Sequence, residues 1–277
     1  KNKMNIAIIL AGGIGSRVGA ETPKQFIEVL GKPIIAYTIE KFQNHREIDA
    51  IEVVCLDAYK EKCIELCSKY TKVKWIVSGG KDFQHSVLNG INELNGKLEE
   101  DDNVLIHYAA SPFVENEIIS DAIKVCDEKG NATSATPFFL LAGSNDDGIK
   151  STKWIDRDKV MGLNVPHVYK FAYITGLYRR AVEQKLLDKV EPHTTSLMYA
   201  LGETIYFSKG NQTNIKITTK EDEIMEKKIL DCIHQLIDQK AFDKCTCMEI
   251  SQQLKQSRNY VSTLCNELYE QDVFIKI

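Results

Sequence analysis

The stretch LAGGIGSRVGAETPKQF, residues 10–26, gathers the residue types that hold a polyphosphate. Gly12, Gly13 and Gly15 let the backbone come close to a ligand and turn N–H groups, beginning near Ala11, toward an anion. Arg17 and Lys24 add two cations to the same loop. Glycines alone would also suit a tight turn, but glycines with Arg and Lys directly after an apolar run suit phosphate. The spacing departs from two better-known loops. A dinucleotide fingerprint needs G-x-G-x-x-G, and Gly19 falls one place late; a Walker A loop needs Gly-Lys-Ser/Thr, and Gly15 is followed by Ser16-Arg17. A second candidate floor is VLIHYAASPFV, residues 104–114. There an apolar run passes through His107 and Tyr108 into the small residues Ala109, Ala110 and Ser111, with no carboxylate in reach.

Such side chains need strands that end beside one another. The continuously apolar Asn5–Leu10 reads as a strand covered on both faces. Pro33–Phe42 has helical spacing with Pro at its start. Ile51–Leu56 reads as a strand, Asp57–Tyr70 as a helix capped by Asp57, Val73–Val77 as a strand and Gln84–Leu94 as a helix. Val104–Ile106 follows as a strand, Glu115–Asp127 as a helix and Ala132–Pro137 as a strand. This alternation predicts an α/β fold with a mostly parallel sheet. Ligands of such sheets sit beyond the carboxyl ends of the strands, which directs attention to the loops after Leu10, Val77 and Ile106. Residues 138–170 are less regular, and FFLLAG and KSTKWIDRDKV on either side of the turn at Asn145–Gly148 read as a β-arm. A helix at Ala172–Gln184, strands at Ile205–Ser208 and Asn214–Thr218, and a long helix at Glu221–Gln239 complete the pattern.

The 277 residues, 43% apolar and 27% charged, fit one large domain with a small appendage. A net charge of −4 gives no overall attraction to nucleic acid or anionic membrane. No apolar run reaches the roughly 20 residues that span a bilayer, and the opening KNKMNIAIILAGG reads as a first strand and not as a secretion signal. Of the eight cysteines, Cys63 and Cys67 stand one helical turn apart and Cys245 and Cys247 form C-x-C. Neither pair has a zinc-type counterpart, so reduced, core-filling thiols in a cytoplasmic protein are expected.

The loop, with several later segments, resembles the CTP-dependent cytidylyltransferases that act on methylerythritol phosphate and ribitol phosphate. The resemblance runs in order from residue 4 to about 230. VSGGKDFQHSV, residues 77–87, resembles that family's G-G-x-x-R-x-x-S-V, IHYAASPFV its H-D-A-x-R-P-F, and NIKITTKED its N-I-K-I-T-x-x-D. The glycine loop and KPIIAYTIEKF lean toward the ribitol phosphate branch. The resemblance implies a Rossmann-like nucleotidyltransferase in which the acceptor's phosphate oxygen attacks the α-phosphorus of CTP and pyrophosphate leaves. Arg17, Lys24 and Lys216 would be the catalytic cations. Ala11, Gly12, Gly13, Gly15, Gly79, Gly80, Ser86 and Ala109 would bind nucleotide, and Arg157 the acceptor. Mg²⁺ would be held mainly by the CTP phosphates, with no protein residue assigned as a metal ligand. A homodimer exchanging its arms is implied as well, and an alditol phosphate product would feed a cell-surface polymer.

The departures from the family pattern cluster around the acceptor. Tyr108 replaces an Asp, Ser111 an Arg, Phe83 an Arg and His85 an Asp; Asn164 and His167 replace glutamines, and an acidic position falls at His193. Phe83, Tyr108, Phe138 and Phe139 could therefore line a more apolar pocket. The alternative is a nucleotide-binding relative with little turnover that serves as a partner or regulatory protein. His85, His107, His167 and His193 come from separate loops with no carboxylate cluster, which suits hydrogen bonding better than metal binding.

Residues 240–277 read as a separate extension resembling a helix-turn-helix with a short wing. Met248–Leu254 and Arg258–Tyr269 would be its helices, with Val261, Leu264 and Leu268 at core spacing. Five Lys/Arg against five Asp/Glu leave no basic stripe, which favours a docking role over DNA binding.

Overall fold

The computed structural model describes residues 3–12, 23–29 and 31–217. The expected long helix at 221–239 and the extension at 240–277 lie outside the described residues, as do Gly13, Gly15 and Arg17. In chain order the elements are β1 (Asn5–Ala11), β2 (Glu28–Val29), β3 (Lys32–Pro33), α1 (Ile34–Asn44), β4 (Ala50–Cys55), α2 (Lys60–Cys67), β5 (Val73–Ser78), α3 (Phe83–Glu93), β6 (Asn103–Tyr108), α4 (Asn116–Lys129), β7 (Asn131–Pro137), β8 (Ala142–Gly143), β9 (Trp154–Ile155), β10 (Met161–Lys170), α5 (Phe171–Glu183), α6 (Thr194–Ala200) and β11 (Phe207–Lys209).

The chain divides into two compact units: residues 1–13, 39–109 and 115–212 form one, and 14–38, 110–114 and 213–277 the other. The first unit holds a seven-stranded sheet in the order β11-β7-β10-β6-β1-β4-β5. Strands β6, β1, β4 and β5 pair in parallel, as the alternation predicts. Strand β1 lies between β6 and β4, so both its faces are covered, which is why NIAIIL is continuously apolar. One side of the sheet buries Ile6, Ile8, Val54, Val104 and Ile106 against Val87 and Ile91 of α3, Ile174 and Tyr178 of α5, and Leu197 and Met198 of α6.

Strand β10 runs antiparallel to both β6 and β7. The sequence reading assigned this stretch to the arm, about 138–170, because a proline argues against a central strand. The structure resolves the conflict locally: Pro166 falls in the register shift between Asn164 and His167, where the ladder asks it for no N–H. The arm is correspondingly shorter, a β8–β9 hairpin about the Asn145–Gly148 turn. Asp57 is not a helix cap; it opens a short 3-10 turn, and α2 starts only at Lys60 and ends at Cys67. Helix α6 carried no recognised signal, and 214–217 is irregular, not a strand.

Glu52 breaks the apolar pattern. It sits in β4 with no exposed surface, and neither carboxyl oxygen has a hydrogen-bond partner among the described residues. A Cβ on Gly90 of α3 would lie 2.5 Å from Glu52 Oε1, so glycine is what lets the helix cross this carboxyl. Burial, reinforced by the charge of Glu93, pushes Glu52 up to about 9, and it is therefore uncharged at neutral pH.

In the second unit Pro23–Phe26 forms a turn with Gln25 and Phe26 buried, and Ile34 N–H donates to the Ile27 carbonyl at 3.0 Å. Lys32 Nζ stands 3.8 Å from the centre of the Tyr37 ring. Ile217 N–H donates to the Ala110 carbonyl at 2.8 Å.

Candidate active site

The carboxyl ends of the four parallel strands stand side by side. Register pairs Leu10 with Tyr108, Ala11 with Cys55, and Cys55 with Ser78. The chain leaves these ends through Gly12, Ala109 and Gly79. The Ala109 N–H donates to the Leu10 carbonyl at 2.9 Å, and the Gly79 N–H to the Cys55 carbonyl at 2.7 Å. Ser86, on the first turn of α3, ties the loops together: its Oγ accepts from Gly80 N–H at 3.0 Å. A Cβ on Gly12 would lie 3.2 Å from that oxygen, and one on Gly79 would lie 3.1 Å from it. Ala11, Gly12, Gly79, Gly80, Ser86 and Ala109 are thus brought together as a surface of small residues and backbone. Ser86 is itself buried, and its hydroxyl positions Gly80.

The turn into α3 is held by Asp82, which caps the helix by accepting from His85 N–H at 2.9 Å and also meets His85 Nδ1 at 2.7 Å. The D-x-x-H spacing carries this cap in the sequence, where it was overlooked. Among the described residues, one group of metal-type donors gathers here: ligand atoms of Asp82, His85 and Asp188 all lie within 4.8 Å of one another. Asp82 is engaged as the cap, and Asp188 is paired with Lys81, whose ammonium holds its carboxyl below the usual range.

Beside the strand ends stands an aromatic cluster. Phe83 lies edge-on to Tyr108 with ring centres 5.8 Å apart, and 5.1 Å from His193. Gln84, a residue the sequence gave no reason to single out, donates to the carbonyls of Glu191 at 2.9 Å and His193 at 3.1 Å, and so fixes the turn that presents His193. Burial, with Glu191 adding to it, pushes the Tyr108 phenol up to about 12. It stays protonated and is no substitute for a metal-binding carboxylate. Phe138 and Phe139 were expected in this group; the structure joins Phe83 and Tyr108 to His193 and places Phe138 and Phe139 where the arm begins.

Of the candidate cations, Lys24 opens the buried turn of the second unit, and Lys216 precedes Ile217, whose N–H anchors that segment to Ala110. Arg157 follows β9 on the arm, exposed, with Nη1 donating to the Phe139 carbonyl at 2.8 Å. His167 is buried in β10 and lowered to about 3, chiefly by desolvation, so it stays neutral; it is a core residue and no acid–base group at physiological pH.

The family profile described as "IspD: 2-C-methyl-D-erythritol 4-phosphate cytidylyltransferase" matches residues 5–231. The chain belongs to this family. Within it, the chain is 38% identical over 221 residues to a ribitol-5-phosphate cytidylyltransferase of Lacticaseibacillus paracasei, covering 79% of this chain and 94% of that protein. It is also 38% identical over 223 residues to a 2-C-methyl-D-erythritol 4-phosphate cytidylyltransferase of Clostridium acetobutylicum, covering 79% and 94%. The structure of a 4-diphosphocytidyl-2C-methyl-D-erythritol synthase from Anaerococcus prevotii shares the fold, with a TM-score of 0.70 at 24% identity, over 83% of this chain and 99% of that one. An IspD family enzyme is a cytidylyltransferase, so the small-residue surface at the strand ends has its chemistry: transfer of a cytidylyl group. Equal identity to relatives with two different acceptors leaves the acceptor to the residues around Phe83 and Tyr108.

Proposed function

We propose that the chain transfers CMP from CTP to an alditol phosphate resembling ribitol 5-phosphate, releasing pyrophosphate, as a step toward a cell-surface polymer. The observation that carries this reading is the surface of Gly12, Gly79, Gly80 and Ala109 at adjoining strand ends, locked by Ser86 Oγ on Gly80 N–H at 3.0 Å. Small residues let a nucleotide lie against backbone, whose N–H and C=O groups read a base edge without side-chain motion. Arg17, Lys24 and Lys216 offset the charge developing on the α- and β-phosphates as the bond to the leaving group breaks. Arg157 would hold the acceptor phosphate. The reaction needs alignment of two phosphates and no covalent enzyme intermediate. Mg²⁺ would supply charge neutralisation on the triphosphate. Tyr108 does not fit it as a ligand, so phosphate and water oxygens would hold it.

The acceptor wall of Phe83, Tyr108 and His193 favours the CH face of a polyol over a second ionic contact. In the arm, Leu141 is 88%, Trp154 78% and Ile149 93% exposed, which supports a homodimer covering that surface. No helix among the described residues is long and apolar enough to cross a membrane, and a cytoplasmic location suits a CTP-consuming enzyme. We assign 4–230 to the transferase domain and 240–277 to partner docking. Salt-sensitive binding to genomic DNA fragments in a gel shift would reverse that second assignment.

The deciding experiment follows pyrophosphate release from CTP and Mg²⁺ with ribitol 5-phosphate, methylerythritol phosphate and related alditol phosphates. The expected outcome is the fastest turnover with ribitol 5-phosphate or a close alditol phosphate. CTP binding without release for any acceptor would replace this reading with that of a nucleotide-binding regulatory relative.

A further inference from the structure

Cys55 is the last residue of β4, and Cys63 lies on the sheet-facing side of α2; both are fully buried. The sequence singled out Cys63 and Cys67 by their spacing, but the tertiary structure gives Cys63 a different neighbour. Its thiol donates a hydrogen bond to Cys55. That hydrogen bond, aided by the Lys60 ammonium, holds the Cys55 thiol below its ordinary range against the opposing effect of burial. The same hydrogen bond and burial push Cys63 up. One sulfur is thus disposed to be a thiolate and the other to supply the proton.

Cys63 and Cys67 are poor partners for each other, because residues four apart on a helix have Cβ atoms about 5–6 Å apart, beyond the roughly 3.5–4.5 Å a disulfide spans. Cys126 is occupied elsewhere: its Sγ points at Asn103 Oδ1 at 3.7 Å, and burial pushes it up to about 12. Helix α2 is also lightly fastened. Of its eight residues only Cys63 and Cys67 are buried, and Ile64 is 52% exposed. A helix with so small an apolar contact opens locally at low cost, which gives a small oxidant access to thiols that are covered on average.

We propose that Cys55 and Cys63 form a redox-active dithiol that takes a hydroperoxide as co-reactant and closes to an intrachain disulfide. The Cys55 thiolate attacks the terminal peroxide oxygen, the O–O bond breaks, and the departing oxygen takes a proton to leave as water or an alcohol. The Cys63 sulfur then attacks the Cys55 sulfenic acid; the S–S bond forms, and the sulfenic oxygen leaves as water with the Cys63 proton. Two electrons pass from the dithiol to the peroxide. The reaction reaches the nucleotide surface through one bond, since the Cys55 carbonyl accepts the Gly79 N–H at 2.7 Å. This consequence rests on the reading of Gly79 as nucleotide-binding; the dithiol chemistry does not.

The test treats the native full-length chain with hydrogen peroxide, alkylates it under denaturing conditions and maps the tryptic peptides. The expected product links the peptide 47–60, which carries Cys55, to the peptide 63–69 through Cys63, with Cys67 alkylated. Cys67→Ser should form the same link, and Cys63→Ser should leave Cys55 as a sulfenic acid captured by dimedone. Cys55 and Cys63 both alkylated after peroxide, or Cys55 linked to Cys67, overturns the proposal, and the wild-type map decides even if Cys63→Ser does not fold. Oxidised protein should bind CTP about tenfold more weakly than reduced protein, reversed by dithiothreitol. A linked pair with unchanged affinity removes the coupling. Reduced protein that binds no CTP counts against the nucleotide reading, while the peptide map still judges the dithiol.

Discussion

The strand-end surface and the β-arm lie on the same chain and are built in opposite ways. At the strand ends every loop is tied by a bond internal to the unit: Ala109 to Leu10, Gly79 to Cys55, Gly80 to Ser86. Side chains there are small, and the geometry exists before any ligand arrives. The arm has a two-residue ladder, a turn held by Asn145 Oδ1 on Gly148 N–H at 2.7 Å, and large apolar side chains facing solvent. Rigid backbone suits a site that must align two phosphates. Uncovered Leu141, Ile149 and Trp154 suit a surface completed by something else. The difference separates what the chain does alone from what it needs a second copy to do.

Four measurements would break or sharpen that contrast. The largest effect is expected from Lys24→Ala, which removes a cation from the developing phosphate charge. It should lower kcat by on the order of 10²–10³ while the melting temperature holds. Activity within a few fold of wild type would place Lys24 outside the chemistry. Next, Leu141→Asp combined with Trp154→Asp should convert a dimer into a monomer in sedimentation velocity and sharply raise the KM for the acceptor. An unchanged sedimentation coefficient would show that the arm is not the interface. Third comes Gly80→Ala. An added Cβ would lie 2.3 Å from His85 Cβ and 2.7 Å from the His85 carbonyl carbon, so the α3 turn has to shift. A loss of about 1–3 kcal/mol in denaturant unfolding is expected, with weaker CTP binding by calorimetry. Native stability in this variant would mean the loop yields more easily than its bonds suggest.

The smallest effect concerns Glu52, beneath the helix that carries the strand-end turn. Its carboxyl is raised to about 9 in the folded state from an ordinary value of 4.5. The folded protein therefore binds this proton more tightly than the unfolded chain. The associated stability is fully present below the ordinary carboxylate pKa and is lost as pH rises toward about 9. Glu52→Gln, which cannot ionise, should gain several degrees in melting temperature relative to wild type between pH 5 and pH 8.5. Parallel curves for the two proteins would show that Glu52 finds a charge partner or water not evident from its surroundings.

Much of the fold was legible because its signals are local. Continuous apolar runs marked β1, β4 and β6, and the loops after them marked the site. What failed did so for physical reasons. Strand β10 was obscured because Pro166 forbids an ordinary ladder position and only the register shift at Asn164–His167 makes room for it. Asp57 has the right residue type for a cap, but the chain makes a 3-10 turn there first. The aromatic cluster was half visible: Phe83 and Tyr108 stood out as departures, whereas their junction with His193, and Gln84's role in fixing it, link residues more than 80 positions apart.

By itself the sequence determined the α/β class, the family, the glycine loop with its cations, and the missing carboxylate at Tyr108. Each of these is written in residue type and spacing along the chain. Only the tertiary structure decided that Ser86 is a buried brace for Gly80, that Cys63 faces Cys55 instead of acting with Cys67, and that Glu52 sits uncharged under Gly90. These depend on which strand lies beside which and how closely a helix crosses the sheet, distances that no local pattern of residues encodes.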